Sequence, residues 1–169
     1  GIVVILLVIG YFVSDDSSDT STSTSTKNTE SNEPNKISLI DSKRPQIQKD
    51  FVNEVIQAQK ESKNAENDMQ KGGIKSTRDK NICNILNNTM YVYDWTGRVD
   101  TIDSNSEGKG VLSVKLAKKI RVQTWNNAFS DIGSETLLEP GTELFNTAAS
   151  LKKGQEVVFS GSFFSNDEC

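Results

Sequence analysis

Few residues of this chain could do chemistry, and their types narrow the options before their spacing does. There is no histidine, which removes the commonest general base near neutral pH and a leading metal ligand. A serine nucleophile would then need lysine as its base, and no spacing marks such a pair. Carboxylates are plentiful but scattered, so no acid–base couple stands out, and no phosphate-cradling glycine loop occurs. The expectation is a protein that is not an enzyme, with no cofactor and no metal centre.

Three clusters remain. Asp103, Asn105, Glu107 and Gly108 match the first half of a calcium loop, but position twelve falls on Val114, which offers no carboxylate. A polar turn using Asn and Gly for positive φ accounts for the same residues. Lys115, Lys118, Lys119 and Arg121 form a basic patch that could meet phosphates. It could equally be a solvated hairpin whose lysines discourage strand pairing. Trp125, Asn126 and Asn127, with Ser130 and Asp131, open a long loop running to Gly141. Loops of that length in small domains often carry function, and an indole beside carboxamides could hold a sugar or peptide. Trp125, Asn126, Asn127 and Asp131 are therefore candidate ligand-binding residues, with a protein or small ligand as the expected partner. Cys83 and Cys169 could pair in an oxidising compartment; a buried free Cys83 and a mobile terminal cysteine is the competing expectation.

The elements that must position these groups follow from hydrophobic pattern. Residues 1–13 are apolar and uncharged; as a helix they would span roughly 20 Å, short of the ~30 Å hydrocarbon core. An uncleaved transmembrane anchor missing its first residues is expected, with a cleaved signal or a core segment of a soluble protein as the alternatives. Residues 14–44 form a Ser/Thr-rich linker. Its 14–36 stretch has no apolar side chain and sets Asp15, Asp16, Asp19, Glu30 and Glu33 against Lys27 and Lys36. Such a stretch should stay disordered. The lack of nearby positive charge favours the side away from the cytoplasm, periplasmic or cell-surface.

From Pro45, a residue suited to a first helical turn, Ile47, Phe51, Val55, Ala58, Ala65 and Met69 recur at helical spacing, with Gly72 and Gly73 as the expected stop. A shorter helix is expected over 76–86. From Thr89 the pattern turns to β: Tyr91, Tyr93, Trp95, Gly97 and Val99 alternate, with Gly97 at a sharp bend. Leu112, Val114 and Leu116, then Ile120 and Val122, form the inward faces of a hairpin joined at Lys118-Lys119. Leu144, Ala148 and Leu151 read as a helix, and Glu156–Phe164 as a last strand with Val157, Phe159, Gly161 and Phe163 inward.

A long bent strand, a meander, a helix and a returning strand are the order of an OB-fold barrel. The runs Asn67–Gly73, Trp95–Val99, Gly108–Leu112, Thr124–Asp131 and Leu151–Gly161 resemble a bacterial family of membrane-anchored proteins and lipoproteins likened to the tRNA anticodon-binding domain. That resemblance spans about residues 46–164. It implies an OB-fold and an envelope location, and its nucleic-acid label rests on fold analogy. Only four strands follow Thr89. A fifth is expected beyond Cys169, which would make the chain a fragment at both ends, unless Ile37–Ile40 supplies a substitute.

The expected fold class is mainly β with N-terminal α: an OB-like barrel at 89–169, a helical segment at 45–88 packing on it, and the transmembrane segment at 1–13. The expected function is an envelope-anchored binding module. Alternatives are a single-stranded nucleic-acid binder and a structural envelope protein. The net charge of −4 disfavours the nucleic-acid reading, since acids also outnumber bases after Thr89.

Overall fold

Pro45 begins the first helix because its fixed φ of −58° suits a helix start and its carbonyl accepts from the Gln48 and Lys49 amides, both at 3.1 Å. In the computed structural model, which describes residues 4–5, 42–125, 131 and 135–164, helix α1 spans Gln46–Asn64. It buries Gln48, Phe51, Val52, Val55 and Ala58 on one face. The helix ends earlier than the apolar stripe suggests. Ala65 turns extended, and the Asn67 side chain accepts from the Gln70 amide at 2.9 Å, starting helix α2 at Asp68–Ile85.

This corrects two expectations. Gly72 and Gly73 lie inside α2 and stop nothing, and a Cβ at either would meet open space. Met69, assigned to the buried stripe, is 88% exposed. A cap residue at the right place outweighed two glycines, each of which costs a helix only ~1 kcal/mol. A helix pair therefore precedes the sheet where one long and one short helix were expected.

Strand β2 (Tyr91–Ser104) is the centre of an antiparallel sheet. Its first half pairs with β5 (Glu156–Phe163) and its second half with β3 (Gly110–Ala117), which pairs in turn with β4 (Ile120–Gln123). Between Val92 and Trp95 the register slips, with Asp94 at φ 53°. The slip breaks the expected alternation: Val92 points inward, and Tyr93 is 67% exposed. Gly97 sits where β2 and β3 approach closely. A Cβ there would overlap the Val114 side chain and come 2.9 Å from the Lys115 carbonyl oxygen.

Helix α3 (Glu143–Ser150) starts at Thr142, whose hydroxyl accepts from the Phe145 amide at 3.1 Å, and packs against β3. Val4–Ile5 form a two-residue strand, β1, pairing antiparallel with Phe163 and Ser162 and lying also against β4. The rest of the expected anchor at 1–13, the linker to residue 41 and the Ile37–Ile40 run lie outside the described residues. Among the described residues no helix is long and apolar enough to cross a membrane.

The core lies between α1 and the sheet. Trp95 is fully buried, with ring centroids 5.0 Å from Phe51 and 5.6 Å from Phe163. One polar group is built into this contact. Buried Gln48 donates to the Thr96 carbonyl at 2.6 Å and accepts from the Thr96 amide at 2.9 Å. Its carboxamide thus pairs with the strand backbone as a neighbouring strand would, and fixes α1 on β2.

Candidate ligand-binding face

The alternation of β3 sends Leu112, Val114 and Leu116 into the core and Ser113 and Lys115 to the other face. Register then sets Lys115 opposite Arg98 of β2 on one side and opposite Arg121 of β4 on the other. Three exposed cations stand abreast, each ~4.8 Å from the next strand's. Like charges directly opposite repel, and neighbouring acids offset this. Arg98 pairs with Glu156 at 2.9 Å, and Arg121 with Asp100 at 3.2 Å. Among the described residues the Lys115 ammonium has no such partner.

Sequence reasoning found Lys115 and Arg121 but missed Arg98, which is 17 positions before Lys115; only strand pairing brings it in. Lys118 and Lys119 lie on the exposed two-residue turn joining β3 to β4, with Lys119 at φ 65°. They extend the positive end of the face without joining the cross-strand row.

The long loop is placed differently from a ligand cradle. Asp131, a candidate ligand residue, is buried and turned to the loop's own backbone. It accepts from the Thr136 amide at 2.6 Å, the Thr136 hydroxyl at 2.7 Å and the Leu137 amide at 3.2 Å. The same Thr136 oxygen accepts from the Trp125 amide at 2.7 Å. Asp131 therefore staples the loop to the end of β4, and its oxygens are already occupied. Trp125 is half-buried, with its ring centroid 5.8 Å from that of Phe164 and an interplanar angle of 31°. Its indole Nε1 is buried without a hydrogen-bond partner among the described residues. Asn126 and Asn127 lie outside the described residues.

The Asp103–Gly108 segment is a turn held from within. Asn105 Oδ1 accepts from the Glu107 and Lys109 amides at 3.0 and 2.9 Å, and Gly108 takes φ 80°. The Asn105 oxygen that a cation would need is already engaged. Cys83, near the end of α2, is buried and disulfide-bonded; the sequence holds one other cysteine, Cys169, which lies outside the described residues.

On the helix pair, Asp79 accepts from Lys75 at 2.9 Å and from both Arg78 Nε and Nη2. Burial alone pushes its carboxyl pKa up, but the bonds from Lys75 and Arg78 outweigh burial and hold it below the ordinary value. This arrangement is structural and lies on a different element from the cation row. Compared with protein-family models, curated proteins and solved structures, the chain finds no match.

Proposed function

We propose that this chain is a non-catalytic binding module that recognises an acidic ligand on the outward face of β2, β3 and β4. The observation that carries the reading is the register aligning Arg98, Lys115 and Arg121 across three strands. With Lys118 and Lys119 at the turn, it concentrates positive charge on one face of a chain whose net charge is −4. Such local focusing governs encounter with an acidic partner more than total charge does.

The sheet that carries this face is read as an OB-like barrel. Support comes from β2 pairing with both β3 and β5, and from α3 bridging β4 to β5. A fifth strand between β5 and β4 would close it, and β1 lies against both. Residues 1–13 are proposed as a membrane anchor and 14–44 as its tether, with the domain outside the cytoplasm, a reading that requires Val4–Ile5 to leave the sheet edge where they pair with β5; a disulfide at Cys83 accords with that compartment. The resemblance to the membrane-anchored OB-fold family is kept as part of this proposal.

The test measures binding of the full chain to two polyanions, labelled oligothymidylate and short-chain polyphosphate, at low salt. Retained binding in a Lys115→Glu/Arg121→Glu variant would remove the face from the account. Binding of oligothymidylate alone would favour the single-stranded nucleic-acid reading. A second reading places an uncharged ligand on Trp125 and Phe164, because the buried Trp125 Nε1 has no partner among the described residues. Under that reading Trp125→Leu abolishes capture and the charge reversals leave it intact.

A further inference from the structure

We propose that the outward face around Lys115 is a seat for phosphoryl oxyanions, and that the Asp100 carboxylate occupies its arginine until such a ligand displaces it. The inference rests on the reading above that this face is the working surface.

Three observations converge. Lys115 is exposed and, among the described residues, its ammonium has no ion pair, although Arg98 and Arg121 flank it directly. Ser113, the next outward residue of β3, is 3% exposed, and its hydroxyl has no hydrogen-bond partner among the described residues. Buried hydroxyls are almost always paired, since leaving one bare forfeits its hydration with no return. Finally, Asp100 lies at the register irregularity between Val99 and Thr101, which brings it beside Ser113 and Val114. From there its Oδ2 reaches Arg121 Nη1 at 3.2 Å, spanning the intervening strand β3.

A carboxylate thus already sits where an anion would be held, making one contact to a side chain that can make two. Guanidinium forks match oxyanions bidentately. With Asp100 displaced, a phosphoryl group at this point offers acceptors to the Arg121 fork and the Lys115 ammonium, and the seat requires that the same displacement uncover the Ser113 hydroxyl, which is closed to solvent in the structure. Arg121 is 55% exposed and Asp100 27%, so the existing pair is open to competition. A chain of linked phosphates is the occupant that fits the whole row, because Arg98 stands one strand further along.

The test uses the full chain, with short-chain polyphosphate and, separately, orthophosphate as probes, read by calorimetry at low salt. Asp100→Asn removes the internal competitor and one negative charge, so affinity should rise roughly two- to fivefold, the weight of one exposed ion pair. Ser113→Ala and Lys115→Ala should each weaken binding, with the folded state checked by circular dichroism. Asp100→Asn at or below wild-type affinity, or Ser113→Ala without effect, overturns the seat. If charge reversal at Lys115 and Arg121 abolishes polyphosphate binding while Asp100→Asn changes nothing, the working surface stands and the seat falls. If the unaltered chain binds no polyanion, the working surface itself is wrong. Orthophosphate responding to the same substitutions as polyphosphate identifies a lone phosphate as the ligand; a polyphosphate-only response identifies the chain.

Discussion

Replacing Gln48 by leucine should destabilise the domain far more than its distance from any charged face suggests. The carboxamide donates to the Thr96 carbonyl at 2.6 Å and accepts from the Thr96 amide at 2.9 Å in a fully buried setting. Leucine keeps most of the volume and removes both partners. Each stranded backbone group costs about 1–3 kcal/mol, so the two together cost about 2–6 kcal/mol. Extra apolar burial returns about 1 kcal/mol, leaving a net loss of about 1–5 kcal/mol. With a urea slope near 2 kcal/mol/M, the midpoint should fall by about 0.5–2.5 M. Gln48→Glu supplies the control: it keeps an acceptor for the Thr96 amide, loses the donor and buries a charge, so it should also destabilise at neutral pH. Urea unfolding followed by tryptophan fluorescence, to which buried Trp95 contributes, measures both. A midpoint shift under about 0.3 M for Gln48→Leu would refute the view that this carboxamide joins α1 to the sheet.

Gly97→Ala should lower the thermal midpoint, because its Cβ would overlap Val114 and the Lys115 carbonyl has no room to yield; an unchanged midpoint would contradict that packing. Asp131→Ala strands the Thr136 and Leu137 amides and should raise proteolytic cutting within 125–141, read by limited proteolysis, with the core spared. Asp79 has a folded-state pKa below its ordinary value, so its contribution is present above that ordinary value and is lost as pH falls through the depressed one. Asp79→Asn should therefore flatten the acid limb of the stability–pH curve and leave the shape near pH 7 unchanged. If residues 1–13 anchor the chain, high salt should leave it in the membrane pellet and detergent should release it; release by salt alone would end the anchor proposal.

The sheet was the most legible part of the sequence. Period-two alternation in Leu112, Val114, Leu116 and in Val157, Phe159, Phe163 placed the inward faces correctly, because burial keeps that period at these positions. Alternation misled where the backbone slips: the irregularity at Tyr93–Asp94 turned a residue expected in the core outward, and no residue type there announces it. The helices were misdivided because two glycines outshone a single capping asparagine, although Asn67 with Gln70 three residues later is a readable start signal. The cation row was half legible. Lys115 and Arg121 are near neighbours in sequence, whereas Arg98 joins only through long-range pairing. Asp131 was readable as polar and loop-borne, but its engagement by Thr136 and Leu137 depends on how the loop folds back.

The most direct test of the working surface is a titration of the full, isotopically labelled chain with short-chain polyphosphate, followed through backbone amide resonances. The account predicts that the shifts gather at Arg98, Ser113, Lys115, Arg121 and Gln123, on adjacent strands of one face. Shifts centred instead on Trp125 and Phe164, or spread evenly over exposed lysines such as Lys49 and Lys60, would contradict it.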